Sequence, residues 1–482
     1  MTLLLVNPPG IRPGRSGSFF ADQKRNLRPD QYRSMPMEHL GIMSMAAYAR
    51  AKGIPVRTVN GLVESHDSVA ETWRAMQDVV SGSGPPTVVG FSVIDTTAEV
   101  VHLAEQVRRH WPGVPVLLGN VMASLNYERI FERYDCFDFV SLGDGEVAVT
   151  ELYEAVAAGD WAQEVAGIAR RGPGGTAAAT PPKLHALDDF PPPARDELPA
   201  VLAAGFAAAV YSNRGCPYRC TFCGTGAMSE LLGKDSYRSR SVEPVVDEIE
   251  GLVRDFGIDF VSITDDLFLS KHPSMQVRAA EFADEMVRRK VDVHFMIDAR
   301  MDSVQDFSLY DKLYEAGLRR VFIGIETGSR DQLIAYRKRS VRAGEDAGAK
   351  LRALEDRGIE IVPGTIMFHP TVTPQELRET ARLLRSLRYK TPRKFLDRIT
   401  AYPGTPLHAE YAAKDLLVDD WPIGRWRFAD PAAARIHEEV QARIDGDPRI
   451  SFDEAERFFL ERVDAWEKGM SEQAAVGTGE DS

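Results

Sequence analysis

The 482-residue chain carries 58 lysines and arginines against 71 aspartates and glutamates, a formal net charge of −13. Its 44% hydrophobic and 27% charged residues are typical of a globular protein and exclude disorder as its main state. The acidic balance argues against broad binding to nucleic acid or to anionic membranes. No apolar run is long enough to span a membrane, and the first residues lack the basic segment of a signal peptide. We therefore expect a cytoplasmic protein of two to four domains.

Short apolar runs alternate with helical patterns over the first third of the chain. Strands are predicted at 3–7, 54–59, 87–93, 114–118 and 137–140, and helices at 40–52, 68–80, 97–110 and 146–157. This alternation predicts an α/β domain with a Rossmann-like, doubly wound parallel sheet over residues 1–165. Ligands of such sheets bind beyond the carboxyl ends of the strands, which here include Ser92, Gly119-Asn120 and Gly143 to Glu146.

The pattern changes after the first domain. Glycine- and proline-rich stretches without periodicity predict an interdomain linker over 166–200. A second alternating series occupies 201–410, with strands predicted at 207–212, 260–263, 294–297, 320–325, 360–366 and 396–400. Six βα units predict a partial barrel, (β/α)6, rather than one closed at eight. Residues 411–482 are expected to form a small helical extension whose tail is disordered from Ser471.

Three of the four cysteines, Cys216, Cys220 and Cys223, follow a CxxxCxxC spacing directly after the first strand of the second series. Four cysteines are too few for a disulfide scaffold of this length. A [4Fe–4S] cube normally takes one cysteine per iron, so three thiolates on one loop would leave one iron open to a non-protein ligand. A zinc site needs a fourth Cys or His, and none lies nearby. Cys136 is expected to be a buried apolar side chain.

This motif, with an aromatic residue before its last cysteine and a six-unit βα series behind it, resembles the radical S-adenosylmethionine (SAM) enzymes. The resemblance implies that the three cysteines bind a [4Fe–4S] cluster and that SAM chelates the open iron. It also implies that an electron from the cluster cleaves SAM to methionine and a 5′-deoxyadenosyl radical, which abstracts hydrogen from a substrate C–H bond. An external one-electron reductant of the flavodoxin or ferredoxin type would supply the electron.

Further positions match those that the family uses to bind SAM. Phe222 matches the aromatic residue whose backbone meets the adenine, and Asp265 and Asp266 end a strand where family members bind the SAM amino group. Arg300 ends the next strand and could clamp the SAM carboxylate through its planar fork. Glu326 lies in a glycine-containing strand-end motif that is also typical of the family. Each residue, taken alone, is compatible with an ordinary solvated loop.

The order of motifs in the first domain resembles the cobalamin-binding domain that precedes many radical SAM barrels. The resemblance implies cobalamin as a cofactor, held at loops that contain Ser92, Gly119, Asn120, Gly143 and Glu146. The chain departs from the family at Asn120, where a second glycine is usual, and it lacks the DxHxxG motif that supplies an axial histidine. A side chain here disfavours positive φ, although asparagine tolerates it better than most residues. Base-off cobalamin binding and a fold that no longer binds the cofactor both stay open.

The resemblance implies a radical SAM enzyme that acts on a small secondary metabolite of the antibiotic type, with C-methylation as the reaction if cobalamin is bound. The alternative is a cobalamin-free dehydratase or oxidoreductase acting on a sugar or an aminoglycoside-like substrate, for which strand-end residues such as Asp298, Asp302 and His369 are candidate pocket walls. A non-catalytic metal-binding module would not need the strand-end residues. A tRNA methylthiotransferase would need a second cluster and a basic RNA-binding domain, which the chain lacks.

Overall fold

The computed structural model describes residues 1–9, 38–61, 68–93, 97–233, 236–339 and 345–477. The chain forms two compact units, and each draws on several segments. The first unit contains Met1–Tyr218, Gly224–Asp266 and Glu285–Met296, and the second contains Arg219–Cys223, Leu267–Asp284 and Ile297–Ser482. Among the helices that are described, none is long and apolar enough to cross a membrane.

A seven-stranded sheet dominates the first unit. Its strands, in spatial order, are β2 (Val56–Asn60), β1 (Leu3–Asn7), β3 (Val88–Ser92), β4 (Val116–Gly119), β5 (Phe139–Ser141), β6 (Ile168–Arg171) and β7 (Ala177–Ala179). The first five strands are parallel, whereas β6 and β7 pair antiparallel. Every residue of β1 and β3 is buried, as expected for strands covered on both faces. The predicted doubly wound parallel sheet is confirmed.

Helices follow the strands of this sheet and place their first turns near its carboxyl edge. They are α1 (Leu40–Ala51), α2 (Val69–Val80), α3 (Thr97–His110), α4 (Val121–Leu125), α5 (Tyr127–Arg133) and α6 (Glu146–Ala157). Side chains of α1 and α6, among them Ile42, Met43, Val149 and Leu152, share one apolar core with Leu5 of β1. Burial of this core fixes the starts of both helices against the sheet.

The segment expected to be a linker, 166–200, is largely ordered into the first sheet. It contains β6, β7, two short 3₁₀ turns at Pro173–Gly175 and Leu187–Asp189, and the beginning of α7 (Leu198–Ala203). The expectation of an unstructured connection is corrected here. Strand β7 is a run of alanines that pairs with β6 through its backbone, so no apolar alternation marks it in the sequence.

The remainder of the first unit begins the second βα series. It contains β8 (Ala208–Val210), β9 (Asn213–Arg214), α8 (Gly224–Leu232), β10 (Arg238–Ser239), α9 (Val242–Phe256), β11 (Phe260–Ile263) and the first part of β12 (His294–Arg300). Strands β8, β11 and β12 are parallel, and β9 pairs antiparallel with β10. The short β9–β10 ribbon thus follows the first strand of the series directly and leads into Cys216.

The second unit holds the later strands of the series. Its elements are α10 (Pro273–Arg289, in part), α11 (Phe307–Glu315), β13 (Leu318–Glu326), α12 (Arg330–Ala335), α13 (Glu345–Glu355), β14 (Glu360–Thr365), α14 (Pro374–Ser386) and α15 (Pro406–Ala413). Strands β13 and β14 are parallel. The sixth strand, expected at 396–400, is reduced to a parallel bridge between Phe368 and Arg398. A 3₁₀ turn at Pro392–Leu396 occupies its start, and the Asp397 side chain accepts hydrogen bonds from Thr365 and Lys394.

A helical extension completes the second unit, as expected. It comprises the two-stranded ribbon β15 (Leu417–Asp419) and β16 (Arg425–Trp426), followed by α16 (Pro431–Gly446) and α17 (Phe452–Gly477). Phe395, Phe452 and Phe459 stack at centroid distances of 5.0–5.1 Å and anchor α17. The tail expected to be disordered from Ser471 is helical as far as Gly477, and residues 478–482 lie outside the described residues.

Candidate functional site

A cavity of about 420 Å³ lies at the carboxyl ends of β3, β4 and β5 in the first unit. Its deep wall is apolar and includes Leu5, Ile42 and Leu117. The five residues predicted to form the cobalamin loops all line it: Ser92, Gly119, Asn120, Gly143 and Glu146. The cavity therefore lies at the carboxyl edge of the sheet, where Rossmann-like domains bind their ligands.

Asn120 adopts a backbone conformation that is otherwise almost confined to glycine, with φ 89° and ψ 173°. Two hydrogen bonds of its side chain offset part of the strain of this conformation. Oδ1 accepts a hydrogen bond of 2.6 Å from the Val121 amide at the start of α4, and Nδ2 donates one of 2.9 Å to Ser92 Oγ. The asparagine thus adopts a positive-φ conformation that is usual for glycine, and it lines the cavity.

His39 lines the same cavity and was missed by the sequence reasoning. Its Nδ1 accepts a hydrogen bond from the Ile42 amide at 3.2 Å, which assigns the ring proton to Nε2, and Nε2 lies 2.7 Å from Ser92 Oγ as donor. Burial lowers the pKa of His39 to about 4, so the ring is neutral near pH 7. His39 caps α1, a role in which Ser, Thr, Asp and Asn are usual, so no capping pattern marks it. Both ring nitrogens are engaged, so His39 as placed offers no free lone pair to a metal.

Buried charges form the polar side of the cavity. Arg214 donates two hydrogen bonds to the Glu146 carboxylate, at 2.5 and 3.1 Å, and Glu146 is only 1% exposed. Burial would raise the pKa of Glu146, but the charge and hydrogen bonds of Arg214 outweigh it and the pKa lies below its usual value. Asp144 lies 3.3 Å from Arg214 and 2.7 Å from Arg238. The two acids and two bases neutralise one another on the polar side of the cavity.

The chemistry of this cavity fits part of a cobalamin. The corrin ring combines an apolar body with peripheral amide groups, and the cavity offers an apolar wall beside buried hydrogen-bond donors. Arg238 Nε is buried, and no described residue accepts its hydrogen. Since a buried donor without an acceptor is costly, a ligand carbonyl such as a corrin amide would be stabilised there.

Asp265 and Asp266 hold the backbone that leads to Cys216. The Asp265 carboxylate accepts hydrogen bonds from the Ser212 amide at 2.6 Å, the Asn213 amide at 2.9 Å and Asn213 Nδ2 at 2.6 Å, as well as from the Ser212 hydroxyl. Asp266 accepts from the Gly215 amide at 2.8 Å. These contacts make both carboxylates anchors of the loop before Cys216, and a direct role of either in SAM binding stays a prediction.

The motif cysteines are half-buried thiols. Cys216 belongs to the first unit, where Ser229 Oγ donates to its carbonyl at 3.1 Å, and Cys220 and Cys223 belong to the second. Cys136 is buried, and burial raises its pKa to about 12, which suits the expected inert role. In the described parts of the chain, no three His, Cys, Asp or Glu side chains are arranged to hold a single metal ion. A [4Fe–4S] cube asks for a different arrangement, with one thiolate on each iron.

Two cations of the second unit approach Cys220. Arg300 is only 5% exposed, and its Nη1 lies 3.6 Å from Cys220 Sγ while its Nε lies 3.3 Å from Asp302. Burial raises the pKa of the Cys220 thiol, and the positive charges of Lys338 and Arg300 act in the opposite direction. The two cations thus offset part of the cost of burying a thiolate, which suits a cysteine that binds iron.

Lys338, which the sequence reasoning also missed, forms a buried ion pair with Glu326. Glu326 ends β13 with φ 67°, and a Cβ on Gly324 would lie 2.7 Å from Glu326 Oε1 and 2.9 Å from Lys338 Nζ. The absence of a side chain at Gly324 thus leaves the space that the pair occupies. Phe222 lies between Cys220 and Cys223 in the chain. Its ring packs edge-on against the Tyr336 ring, with a distance of 5.1 Å between the ring centroids. The only sequence signal for Lys338 is its position shortly after the strand-end motif.

Two known domain families match the chain. The Radical SAM superfamily matches residues 210–384, and the B12 binding domain matches residues 33–153. The chain therefore contains a radical SAM domain preceded by a B12-binding domain. The two matches cover the cysteine motif and the residues around the cavity, so they bear on both predicted sites.

Curated relatives of this chain include proteins of different activity. It is 24% identical over 386 residues to the uncharacterized methyltransferase PH0819 of Pyrococcus horikoshii, covering 79% of each chain. It is 27% identical to the anaerobic magnesium-protoporphyrin IX monomethyl ester cyclase of Rubrivivax gelatinosus, covering 62% of this chain but 54% of the cyclase. It is also 27% identical to the hopanoid C-3 methylase of Methylococcus capsulatus, covering 77% of this chain and 68% of the methylase.

Two solved structures share the fold. The cobalamin-dependent SAM radical enzyme OxsB, with aqua-cobalamin bound, matches with a TM-score of 0.73 and 19% identity over 92% of this chain and 67% of OxsB. The radical SAM methyltransferase TsrM from Kitasatospora setae, with cobalamin and a [4Fe–4S] cluster bound, matches with a TM-score of 0.66 and 19% identity over 87% of this chain and 76% of TsrM. Both likenesses confirm the expected fold class of a Rossmann-like domain followed by a radical SAM barrel.

Proposed function

We propose that this radical SAM enzyme is a cobalamin-dependent methyltransferase that transfers a methyl group to a carbon of a small molecule. The observation that carries the proposal is the open cavity at the sheet edge, beside which Asn120 adopts a positive-φ conformation that is usual for glycine. The methyltransferase names of PH0819, the hopanoid C-3 methylase and TsrM support the same reaction. The comparisons do not favour the cobalamin-free dehydratase or oxidoreductase.

The cysteines of the motif and the residues around them would have different roles at the cluster. Cys216, Cys220 and Cys223 would bind three irons, and the cluster with SAM supplies the hydrogen-abstracting radical when both are bound. Arg300 and Lys338 would offset the negative charge of the Cys220 thiolate. Arg300 would also offer donors to the SAM carboxylate, as its position at a strand end predicts. In this proposal Phe222 and Glu326 complete the SAM site.

The first unit would hold the cobalamin. The five cavity residues predicted from the sequence would face the cofactor, and Arg238 would donate to one of its amides. His39 would not coordinate cobalt, because both of its nitrogens are already engaged. We therefore propose base-off binding without a ligand from His39. Cobalamin, when bound, supplies the methyl-transfer chemistry, and the chain's own contribution is to orient it and to exclude water.

The proposed reaction also requires partners that the sequence predicts. A small-molecule substrate would provide the C–H bond, and a flavodoxin- or ferredoxin-like protein would deliver single electrons to the cluster. A cytoplasmic location remains a prediction from the sequence.

Metal analysis of the intact protein tests the proposal. The chain is purified without oxygen from cobalamin-replete cells, reconstituted with iron and sulfide, and analysed for iron, cobalt and its visible spectrum. We expect about four irons and one cobalt per chain, and release of 5′-deoxyadenosine from SAM on reduction. Cobalt-free protein that still cleaves SAM would overturn the methyltransferase assignment, whereas absence of iron would overturn the radical SAM chemistry itself.

A further inference from the structure

One buried ion pair joins the cavity to the segment that carries the first motif cysteine. Glu146 is the first residue of α6 and ends the loop Gly143–Glu146, which lines the cavity. Arg214 lies in β9, two residues before Cys216, and it lines the same cavity. The two residues are 68 positions apart in the chain, and the double hydrogen bond between them ties the ligand-facing loop to the cysteine segment.

Arg214 is held from several sides. Its guanidinium stacks on the Tyr211 ring at 4.6 Å and donates to Ser44 Oγ at 3.2 Å, in addition to its bonds with Glu146. A planar guanidinium engaged through both terminal nitrogens has little freedom to rotate, because each bond fixes the plane of the fork. The position of Arg214 is therefore set by the start of α6 and by α1.

The backbone after Arg214 also has little room to adjust. Gly215 has φ 80°, and a Cβ there would lie 2.3 Å from the Ser236 carbonyl oxygen. Its amide donates to Asp266 at 2.8 Å. Because the chain between Arg214 and Cys216 is a single tightly packed residue, a displacement of Arg214 is transmitted to Cys216 rather than absorbed between them.

We propose that Glu146 and Arg214 form a positioning pair that couples occupation of the cavity by a corrinoid to the placement of Cys216. A corrinoid in the cavity touches the loop Gly143–Glu146, fixes the start of α6 and, through Arg214, holds Cys216 in the geometry that retains the cluster. Neither residue acts on substrate. The inference rests on the proposed function, since it needs both a cluster and a corrinoid.

Iron release from the reconstituted protein tests the coupling. The wild-type protein and the Glu146→Gln variant are exposed to the chelator EDTA with and without saturating hydroxocobalamin, and the iron retained is measured by elemental analysis after desalting. We expect hydroxocobalamin to slow iron release at least about fivefold in the wild type, the lower end of common couplings between sites. We expect no protection in Glu146→Gln at cobalamin saturation, which cobalt analysis verifies.

Glu248→Gln is the matched control. Glu248 is a buried carboxylate of the same unit that pairs with Arg240 and Arg195, and it does not line the cavity. Its variant should keep the cobalamin protection even if it is less stable. Arg214→Lys, which retains the charge but loses the fork, should behave like Glu146→Gln and replaces it if that variant does not fold.

The outcomes separate the coupling from the function on which it rests. Wild-type protein that holds no iron or no cobalt refutes the proposed function. Wild-type protein that holds both, but whose iron is not protected by hydroxocobalamin, refutes the coupling alone. Full protection in both Glu146→Gln and Arg214→Lys, or its loss in Glu248→Gln as well, would also overturn the role of this pair.

Discussion

Arg300 Nη1 lies 3.6 Å from the sulfur of Cys220, and the same guanidinium reaches Asp302. The residue predicted to clamp the SAM carboxylate is thus already oriented by a motif cysteine on one side and by a buried acid on the other. A guanidinium has five donors in a rigid fork, so it can serve a thiolate, an acid and a ligand together. Arg300 is therefore suited to link SAM binding to the cluster rather than to bind SAM alone.

The change Arg300→Lys preserves the charge and removes the fork. We expect the dissociation constant for SAM to rise about tenfold, the effect of roughly 1.4 kcal/mol, as measured by isothermal titration of the reconstituted protein. Arg320→Lys is the control, because Arg320 is also buried and binds Glu360 through two nitrogens. It should lower stability without changing the SAM affinity. Unchanged affinity in Arg300→Lys, or an equal loss in both variants, would contradict the assignment.

Iron content tests the cysteine motif directly. Replacement of Cys216, Cys220 and Cys223 by alanine should abolish the roughly four irons per chain expected of one cube, as read by elemental analysis. Cys136→Ala should retain them, since the thiol is buried in the first unit and its pKa is raised by burial. Full iron content in the triple variant would contradict the assignment of these cysteines to a cluster.

The sequence predicted well those strands and helices whose own side-chain pattern is distinctive. Strands β1 to β5 were placed to within about two residues. Strands β1, β3 and β5 are buried along their whole length and therefore read as continuous apolar runs. Strands β6 and β7 were missed, since they join the sheet through backbone pairing at its edge. The sixth barrel strand was overestimated, because the apolar pattern at 396–400 does not show that a 3₁₀ turn occupies its start and that its pairing is reduced to a bridge between Phe368 and Arg398.

The candidate site likewise contains residues that local sequence signals predict and residues that they do not. Cysteine spacing and small residues at strand ends are local signals, and they identified the motif and five residues of the cavity. His39 acts through Ser92, 53 residues away, and Arg214 acts through Glu146, 68 residues away. No local pattern encodes such pairs. Asn120 shows a further limit, because its propensity argued against positive φ, whereas its bonds to Ser92 and Val121 stabilise that conformation.

A side chain at Gly324 should disturb the ion pair between Glu326 and Lys338. In Gly324→Ala the new Cβ would meet Glu326 Oε1 and Lys338 Nζ, the ends of two flexible side chains, so the backbone can stay while the two charged groups shift. We expect the free energy of unfolding in urea to fall by about 1–3 kcal/mol. Gly469→Ala, at an open position of α17, should instead be neutral or slightly stabilising. Equal behaviour of the two variants would show that the pair does not depend on Gly324.

His39 should make stability depend on pH below neutrality. Its pKa of about 4 lies below the ordinary value of 6.5, so between these values the unfolded chain binds a proton that the folded chain does not. The contribution is fully present above pH 6.5 and is lost as the pH falls towards 4, in total about 3 kcal/mol. Urea unfolding from pH 7.5 to 4.5 measures it. His39→Asn keeps a capping side chain and should lose less stability over this range, and parallel curves for the two proteins would refute the assignment.

Asn120 offers a test that separates backbone conformation from side-chain bonding. Asn120→Gly and Asn120→Ala both remove the hydrogen bonds to Ser92 and Val121, which are worth about 1 kcal/mol each. Only the glycine variant also relieves the positive-φ strain, about 1–3 kcal/mol for such a conformation.

We therefore expect Asn120→Gly to unfold close to the wild type and Asn120→Ala to be less stable by about 2 kcal/mol, because it loses the bonds and keeps the strain. The two variants should have the same order in their affinity for cobalamin. Asn120→Gly leaves the path of the loop unchanged, so hydroxocobalamin should bind near wild-type affinity in a spectroscopic titration. Asn120→Ala can relieve its strain only by leaving the positive-φ region, which would move the edge of the cavity and weaken binding. If the two variants match in both stability and cobalamin affinity, the positive φ at position 120 is not what keeps the cavity open, and the loop must be held by other contacts.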